Sequence, residues 1–176
     1  MALNEDTLVQ QTTADYLRDA LGWRSEFAYN TEVLGPEGSF GRKSEQDVVL
    51  TRILGEKLIA LNPGLPDAAY RDALRQIVEV GAGLRGMAAN REKYHLLRDG
   101  VKVSYRKPDG TLEVRTLRVF DFDTPENNDF LAVREVWVKG ELYRRRPDII
   151  GFVNGIPLLF IECKNIHKNL RKAFDQ

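Results

Sequence analysis

The sequence predicts an α/β protein, because its hydrophobic spacing changes from a helical to a strand period along the chain. Up to about residue 90, apolar residues recur at intervals of three and four, as they do on one face of a helix. From about residue 95, short runs alternate or are wholly apolar and are bounded by turn residues, which is typical of strands. The last segment, NIHKNLRKAFDQ, returns to helical spacing.

Three helices are predicted in the first half of the chain. The first runs from Asn4 to Leu21 and stops before a glycine. The second follows Ser44, whose hydroxyl can cap the free amides of the first turn, and ends at Asn62-Pro63. The third begins at Pro66, a residue that suits the first turn of a helix.

The second half predicts a sheet. VKVSYRKPDGTLEVRTLRVFDF alternates apolar and polar residues on both sides of Lys107-Pro108-Asp109-Gly110, so it indicates a hairpin. FLAVREVWV is a further strand rich in β-branched and aromatic residues. DIIGFV and IPLLFIECK are almost wholly apolar, which predicts two buried central strands joined at Asn154-Gly155.

Length and composition restrict the class of protein. A chain of 176 residues is long enough for one domain with a core of ordinary size, and we expect residues 1–176 to form a single domain. With 43% hydrophobic and 30% charged residues, the composition is that of a globular protein rather than a disordered one. The 26 basic residues balance the 26 acidic ones, so attraction to nucleic acid would have to come from local basic clusters.

The cellular location follows from features that the sequence lacks. One cysteine, Cys163, excludes an internal disulfide framework, and MALNEDTLVQQ has acidic residues where a secretory signal would be basic and then apolar. No apolar run approaches the roughly 20 residues that span a bilayer. We therefore expect a cytoplasmic protein. Because the last predicted helix has no cap, we also expect the chain to be the N-terminal part of a longer one.

Three charged residues flank the two apolar strands of the last hairpin. Asp148 stands at the head of the first strand, and Glu162 and Lys164 stand at the tail of the second. Glu162 and Lys164 are two positions apart, so in a strand they project from the same face.

The loop of this hairpin decides whether Asp148 joins them. With a two-residue loop at Asn154-Gly155, Asp148 points to the opposite face from Glu162. With a three-residue loop at residues 153–155 and the glycine in the left-handed conformation, the two carboxylates share one face. They are then diagonal neighbours with backbones about 7 to 8 Å apart. We expect the three-residue loop, since it gathers the charges.

The energetics of burial indicate a metal ion at this point. A carboxylate in apolar, partly buried surroundings costs several kcal/mol unless it pairs with a cation or binds a metal. Lys164 alone cannot balance two carboxylates. Hard oxygen ligands without a cluster of cysteine or histidine favour Mg²⁺ or Mn²⁺ over zinc.

These residues carry a resemblance to a known family. Pro147-Asp148, followed after a hairpin by Glu162-Cys163-Lys164, resembles the PD-(D/E)xK nuclease signature. RRPDIIGFVNGIPLLFIECKN, FDFDTPENNDFLAV, LNPGLP and the early LGW resemble the amino-terminal region of the restriction (R) subunit of type I restriction-modification enzymes, over nearly the whole chain. The resemblance implies a restriction-endonuclease-like core with a central mixed β-sheet flanked by helices, and an added helical segment near residues 44–90.

The resemblance also implies an activity, the Mg²⁺-dependent cleavage of double-stranded DNA. It implies that Asp148 and Glu162 hold the metal together with the backbone carbonyl of Cys163. Lys164 is then the residue that positions or activates the attacking water and stabilises negative charge on the phosphate.

Further site residues follow from the same resemblance. Related proteins carry a glutamine on the helix after the lysine, and Gln176 stands at that place, which makes it a further candidate for contact with DNA. An early helical glutamate is common in this fold, and Glu5 is the candidate for a further metal ligand, with Glu45 a weaker one. Five basic residues are candidates for contact with DNA phosphates, although a solvated surface accounts for them equally well: Arg145, Arg146, Lys168, Arg171 and Lys172.

The resemblance implies partners as well. Related subunits continue into an ATP-driven motor and assemble with modification and specificity subunits. ATP binding is not expected in this chain, because GPEGSFGRKS has an extra residue between glycine and lysine and fails the phosphate-loop pattern. Its glycines favour a flexible surface loop. Asp121, Asp123 and Asp129 are expected to satisfy backbone amides of a turn rather than to form a second acidic site.

Two other functions remain open at this point. A related nuclease for repair or junction resolution would share the core without the motor. A nuclease-like scaffold would bind DNA or partner subunits without cutting. Carboxylates turned away from each other would favour the scaffold.

Overall fold

A computed structural model describes residues 9–79 and 86–163, which group into two compact units. The first unit comprises the described residues up to Leu50 and from Asp129 onward, and the second comprises Thr51–Asn128. The elements, in chain order, are α1 (Gln11–Asp19), β1 (Arg24–Phe27), α2 (Thr51–Leu61), α3 (Asp67–Val78), α4 (Met87–Asp99), β2 (Val101–Arg106), β3 (Leu112–Leu117), a 3-10 turn (Pro125–Asn127), β4 (Phe130–Arg134), β5 (Val138–Lys139), β6 (Arg144–Arg145), β7 (Ile149–Val153) and β8 (Ile156–Ile161).

The first unit is built on a mixed four-stranded sheet with the order β1-β4-β7-β8. β1 pairs with β4 in parallel, whereas β4, β7 and β8 pair antiparallel to one another. A short antiparallel ribbon of β5 and β6 lies between β4 and β7 in the chain. The predicted α/β class with a central mixed sheet is confirmed.

The core of the first unit lies between α1 and the sheet. Ala14 and Leu17 of α1 pack with Ala132 and Ile149 of the two middle strands, and Trp23 covers this cluster. Trp23 also explains a glycine in β7, since a Cβ at Gly151 would lie 2.8 Å from the indole ring. The indole ring can therefore pack against β7 only because Gly151 has no side chain.

The loop of the last hairpin differs from the expected one. Asn154 and Gly155 form a two-residue loop with φ of 50° and 79°, so the glycine is left-handed as expected but the loop is one residue shorter. The asparagine tolerates this conformation because its Oδ1 accepts a hydrogen bond from the backbone N–H of Asp129 at 2.7 Å. The three-residue loop was a wrong prediction.

A β-bulge beside Pro157 offsets the shorter loop. Val153 pairs with Ile156 at the loop, but after a register shift Ile149 pairs with Ile161. The shift leaves Leu158 as the extra residue, next to a proline that has no N–H to give to the ladder. Continued by one residue toward the open end of the hairpin, this register places Asp148 opposite Glu162. The bulge, rather than a three-residue loop, brings these two positions together.

Burial separates the two strands that were both predicted to be central. The first four residues of β7 are buried and Val153 is partly buried. β8, in contrast, lies at the edge of the sheet formed by the described strands. Leu158, Leu159 and Phe160 are exposed, so a central, buried position for β8 was wrong for this part of the chain. Apolar composition alone does not separate an edge strand from a central one.

The second unit holds the added helical segment near residues 44–90. α2 packs on α3, and α3 packs on the antiparallel hairpin of β2 and β3, which was predicted around Lys107-Pro108-Asp109-Gly110. Its buried residues include Leu54, Leu58, Ala73, Ile77, Val101, Val103 and Leu117.

The predicted starts of α2 and α3 had different outcomes. α2 begins at Thr51 rather than after Ser44, because residues 44–47 form a turn in which the Asp47 carboxylate accepts hydrogen bonds from the N–H groups of Lys43 and Ser44. α3 starts after Pro66 as predicted. α4 reaches Asp99, beyond the point at which the strand pattern was expected to begin.

None of the helices in the described ranges is long and apolar enough to cross a membrane.

Candidate active site

Asp148 stands where three elements of the first unit meet. It immediately precedes β7 and is half-buried. Its Oδ1 accepts a hydrogen bond from Nε2 of Gln10, in the turn before α1, at 2.6 Å. Its Oδ2 accepts one from the backbone N–H of Cys163, just beyond β8, at 2.5 Å. Its own carbonyl accepts the N–H of Glu135, just beyond β4, at 3.0 Å.

Glu162 is the first residue after β8, one position beyond the last pair of the hairpin. That pair joins Ile149 to Ile161, so continuing the register sets Asp148 and Glu162 opposite each other. Glu162 is exposed and Cys163 is a buried thiol. The assignment of Asp148, Glu162 and the Cys163 carbonyl as metal ligands stays a prediction.

The chemistry of these oxygen atoms fits a hard divalent cation. In residues 9–79 and 86–163, no group of three or more histidine, cysteine, aspartate or glutamate side chains is placed to hold a metal. The candidate donors are instead two carboxylates, a backbone carbonyl and an amide, since Oε1 of Gln10 is buried with no hydrogen-bond partner among the described residues. An orphaned oxygen beside a carboxylate is the observation that favours a cation here.

Arg146 lies two residues before Asp148, and its side chain already contacts other residues of the protein. Its guanidinium lies 3.2 Å from the carboxylate of Glu135 and 4.2 Å from the ring centre of Tyr29. Glu135 is buried and has a left-handed φ of 52°, so the chain turns sharply where β4 ends. An arginine held in this way positions Pro147-Asp148 more readily than it reaches for a DNA phosphate.

The other two arginines of this run differ from each other. Arg144 is paired with Glu45 and lies 3.7 Å from the ring centre of Trp137. The hydrogen bond from Arg144 holds the pKa of Glu45 below its usual range. Glu45 lies in a turn and is ion-paired with Arg144. Its assignment as an early helical glutamate was therefore wrong. Arg145 is exposed and lies 5.2 Å from the ring centre of Tyr143.

Several residues named from the sequence lie outside the described residues, so their assignments stay predictions. They are Glu5, Lys164, Lys168, Arg171, Lys172 and Gln176.

The loop GPEGSFGRKS is held in place rather than free. Arg42 is 2% exposed and makes two hydrogen bonds of 2.7 Å to the carboxylate of Glu32. It also donates to the backbone carbonyl of Trp137 at 2.8 Å. The predicted surface loop therefore contains a buried ion pair, which its glycine-rich sequence did not indicate.

Gln10 and Glu135 were missed as site residues. The predicted first helix included Gln10, but the spacing of apolar residues gives no signal that separates it from Gln11. Glu135 was assigned to a continuous strand. Only the fold brings both residues to Asp148, from 138 and 13 positions away.

The sequence is similar to known proteins over nearly its full length. Residues 2–176 match the family described as type I restriction enzyme R protein N terminus. The chain is 36% identical to the type I restriction enzyme HindI endonuclease subunit of Haemophilus influenzae, across 99% of this chain and 16% of that protein. It is 28% identical to a putative type I restriction enzyme MjaIXP endonuclease subunit of Methanocaldococcus jannaschii, across 95% of this chain and 16% of that protein.

Proposed function

Because the chain belongs to the family of type I restriction enzyme R protein N-terminal regions, we propose that it is a metal-dependent endonuclease domain that cleaves double-stranded DNA. It spans about a sixth of the curated relatives, at 16% of their length. We therefore also propose that residues 1–176 form one nuclease domain of a longer cytoplasmic R subunit. ATP would serve a motor region elsewhere in that subunit, and modification and specificity subunits would complete the assembly.

One observation carries the proposal, the position of Asp148. Its carboxylate is fixed by donors from the turn before α1 and from the end of β8, and the next residue on β8 after the last pair is Glu162. A carboxylate fixed at the open end of a hairpin suits a cation site, because its orientation does not have to be established when the ion binds.

The chain's own residues have distinct roles in the proposed reaction. Asp148, Glu162 and the Cys163 carbonyl would hold Mg²⁺ or Mn²⁺. The ion supplies charge stabilisation at the phosphodiester and lowers the pKa of water. Lys164 stabilises the negative charge that develops on the phosphate and orients the attacking water. Arg146, paired with Glu135, keeps the segment before Asp148 in place.

The test is Asp148→Asn in the complete restriction complex with ATP and plasmid DNA. The asparagine keeps an oxygen for the Cys163 N–H, and the Gln10 amide can turn to accept its NH₂, so we expect the fold to persist. Cleavage should fall by about 100-fold or more. ATP hydrolysis should be retained, since the motor lies outside this chain. Lys164→Ala should act in the same direction.

Asp121→Asn is the matched control, because Asp121 is a buried aspartate bound by its own loop. It should leave cleavage unchanged. Full cleavage by the Asp148→Asn complex would contradict the proposal and favour a scaffold that binds DNA or subunits without cutting.

A further inference from the structure

Gln10 is a buried amide that the helix beside it does not use. It lies immediately before α1 with helical dihedral angles of −64° and −48°, and its side chain makes no capping hydrogen bond to the helix. It is 6% exposed, whereas glutamine in globular proteins is mostly exposed. Its burial therefore has another cause than helix capping.

The two ends of the Gln10 amide have different surroundings. Nε2 donates to Oδ1 of Asp148 at 2.6 Å. A carboxylate only accepts hydrogen bonds, so the nitrogen rather than the oxygen has to face Asp148. Oε1 is then left buried without a hydrogen-bond partner among the described residues. Since both atoms belong to one planar amide, this oxygen also lies close beside the Asp148 carboxylate.

A buried acceptor without a partner destabilises a fold, and a leucine of similar size would avoid that penalty. Local rules are broken in this way mainly at functional sites, where stability is given up for chemistry. The orphaned oxygen points to a polar ligand next to Asp148. The ligand must bring positive charge or a hydrogen-bond donor, which a hydrated divalent cation does.

We propose that Gln10 is a positioning residue of the cation site, with its amide N–H fixing the Asp148 carboxylate and its amide oxygen accepting from the hydration shell of the divalent ion. This inference rests on the proposed function. A neutral amide suits both tasks. A carboxylate at this position could not donate to Asp148 and would place a second negative charge against it.

The test is Mn²⁺ binding by the 176-residue chain, followed through the electron paramagnetic resonance signal of the free ion. Gln10→Leu should weaken Mn²⁺ binding by about 10- to 100-fold, as loss of an orienting partner does at other metal sites. The Tm of the metal-free variant should change little, because removal of the orphaned oxygen offsets the loss of the hydrogen bond to the half-buried Asp148 carboxylate. A purely structural glutamine would give the reverse pattern, a lower Tm with unchanged affinity, and that result would overturn the inference.

Gln11→Leu is the matched control. Gln11 is the next residue, and its amide pairs with Asp15 and Arg134 rather than with Asp148. Its substitution should leave the Kd for Mn²⁺ unchanged. An equal loss of affinity in both variants would overturn the specific role of Gln10.

Gln10→Glu separates the two ends of the amide, because it keeps an oxygen and loses the N–H. Without metal, two carboxylates in contact should lower the Tm at neutral pH. Added Mn²⁺ should raise the Tm by more than it does in the unsubstituted chain. An equal rise in both would contradict a role for the position 10 oxygen.

Asp148→Asn in the same assay separates this inference from the proposed function. If Asp148→Asn abolishes Mn²⁺ binding and Gln10→Leu leaves the Kd for Mn²⁺ unchanged, the role of Gln10 is wrong and the proposed site stands. If Asp148→Asn binds as well as the unsubstituted chain, or that chain binds no Mn²⁺, the proposed cation site is itself wrong.

Discussion

Asp148 and Asp121 are two aspartates whose hydrogen-bond partners come from very different distances along the chain. The Asp121 carboxylate accepts from the N–H groups of Asp123 and Thr124 and from Nδ2 of Asn127, all within six residues. The Asp148 carboxylate accepts from Gln10, 138 positions away, and from Cys163, 15 positions away.

This contrast indicates which of the two acidic residues is a candidate for function. A carboxylate that is satisfied by its own turn needs only local sequence, and such turns are common in loops. A carboxylate fixed by a helix start and a strand end requires the whole unit to fold first. The buried amide oxygen of Gln10, which has no hydrogen-bond partner among the described residues, lies beside the Asp148 carboxylate. A ligand that binds there would satisfy this oxygen.

The largest loss of stability is expected from breaking the buried ion pair between Arg42 and Glu32 in the first unit. Glu32→Ala leaves the Arg42 guanidinium buried without its carboxylate, which should lower the free energy of unfolding by about 3–5 kcal/mol. Urea denaturation measures this change. Asp72→Ala, which removes an exposed ion pair on α3, is the control and should have little effect. Similar losses of stability in both variants would contradict a larger contribution from the buried ion pair than from the exposed one.

An intermediate effect is expected at the hairpin that carries Asp148. Asn154→Gly keeps the left-handed backbone but removes the acceptor for the Asp129 N–H, which should cost about 1–3 kcal/mol. Asn154→Ala should cost more, because alanine is also strained at a φ of 50°. Chemical denaturation of both variants tests the order. Equal stability of the alanine and glycine variants would show that the backbone conformation is not a constraint.

The smallest effect is expected at Asp121. The hydrogen bond from the Asn127 side chain, with the N–H of Thr124, holds the Asp121 pKa below the ordinary aspartate value of 3.8. Its stabilising contribution is thus present above that value and is lost as the pH falls through the lowered pKa. Asp121→Asn should lower the Tm by a few degrees at pH 6. The difference from the unsubstituted chain should shrink in a titration below about pH 4, and a constant difference would contradict this account.

The sequence predicted the elements whose signals are local. The hairpin of β2 and β3 follows from alternation around Lys107-Pro108-Asp109-Gly110, and α3 follows from Pro66 and an apolar stripe. Of the three aspartates expected to bind backbone amides of their turn, Asp121 does so, whereas the Asp129 carboxylate pairs with Arg24. The loop of the last hairpin was wrong, because a conformation stabilised by a contact between Asn154 and Asp129 cannot be read from the turn residues alone.

The α/β class and the family follow from the sequence, since they depend on periodicity and on motif residues along the chain. The same motif residues made Asp148 the predicted centre of the site. Three features became visible only in the folded chain: the bulge beside Pro157 that restores the register, the exposure of β8, and the meeting of Gln10 and Glu135 at Asp148. The physical reason is that hydrogen bonds between distant residues form only after the sheet and α1 have packed, so no local pattern specifies them.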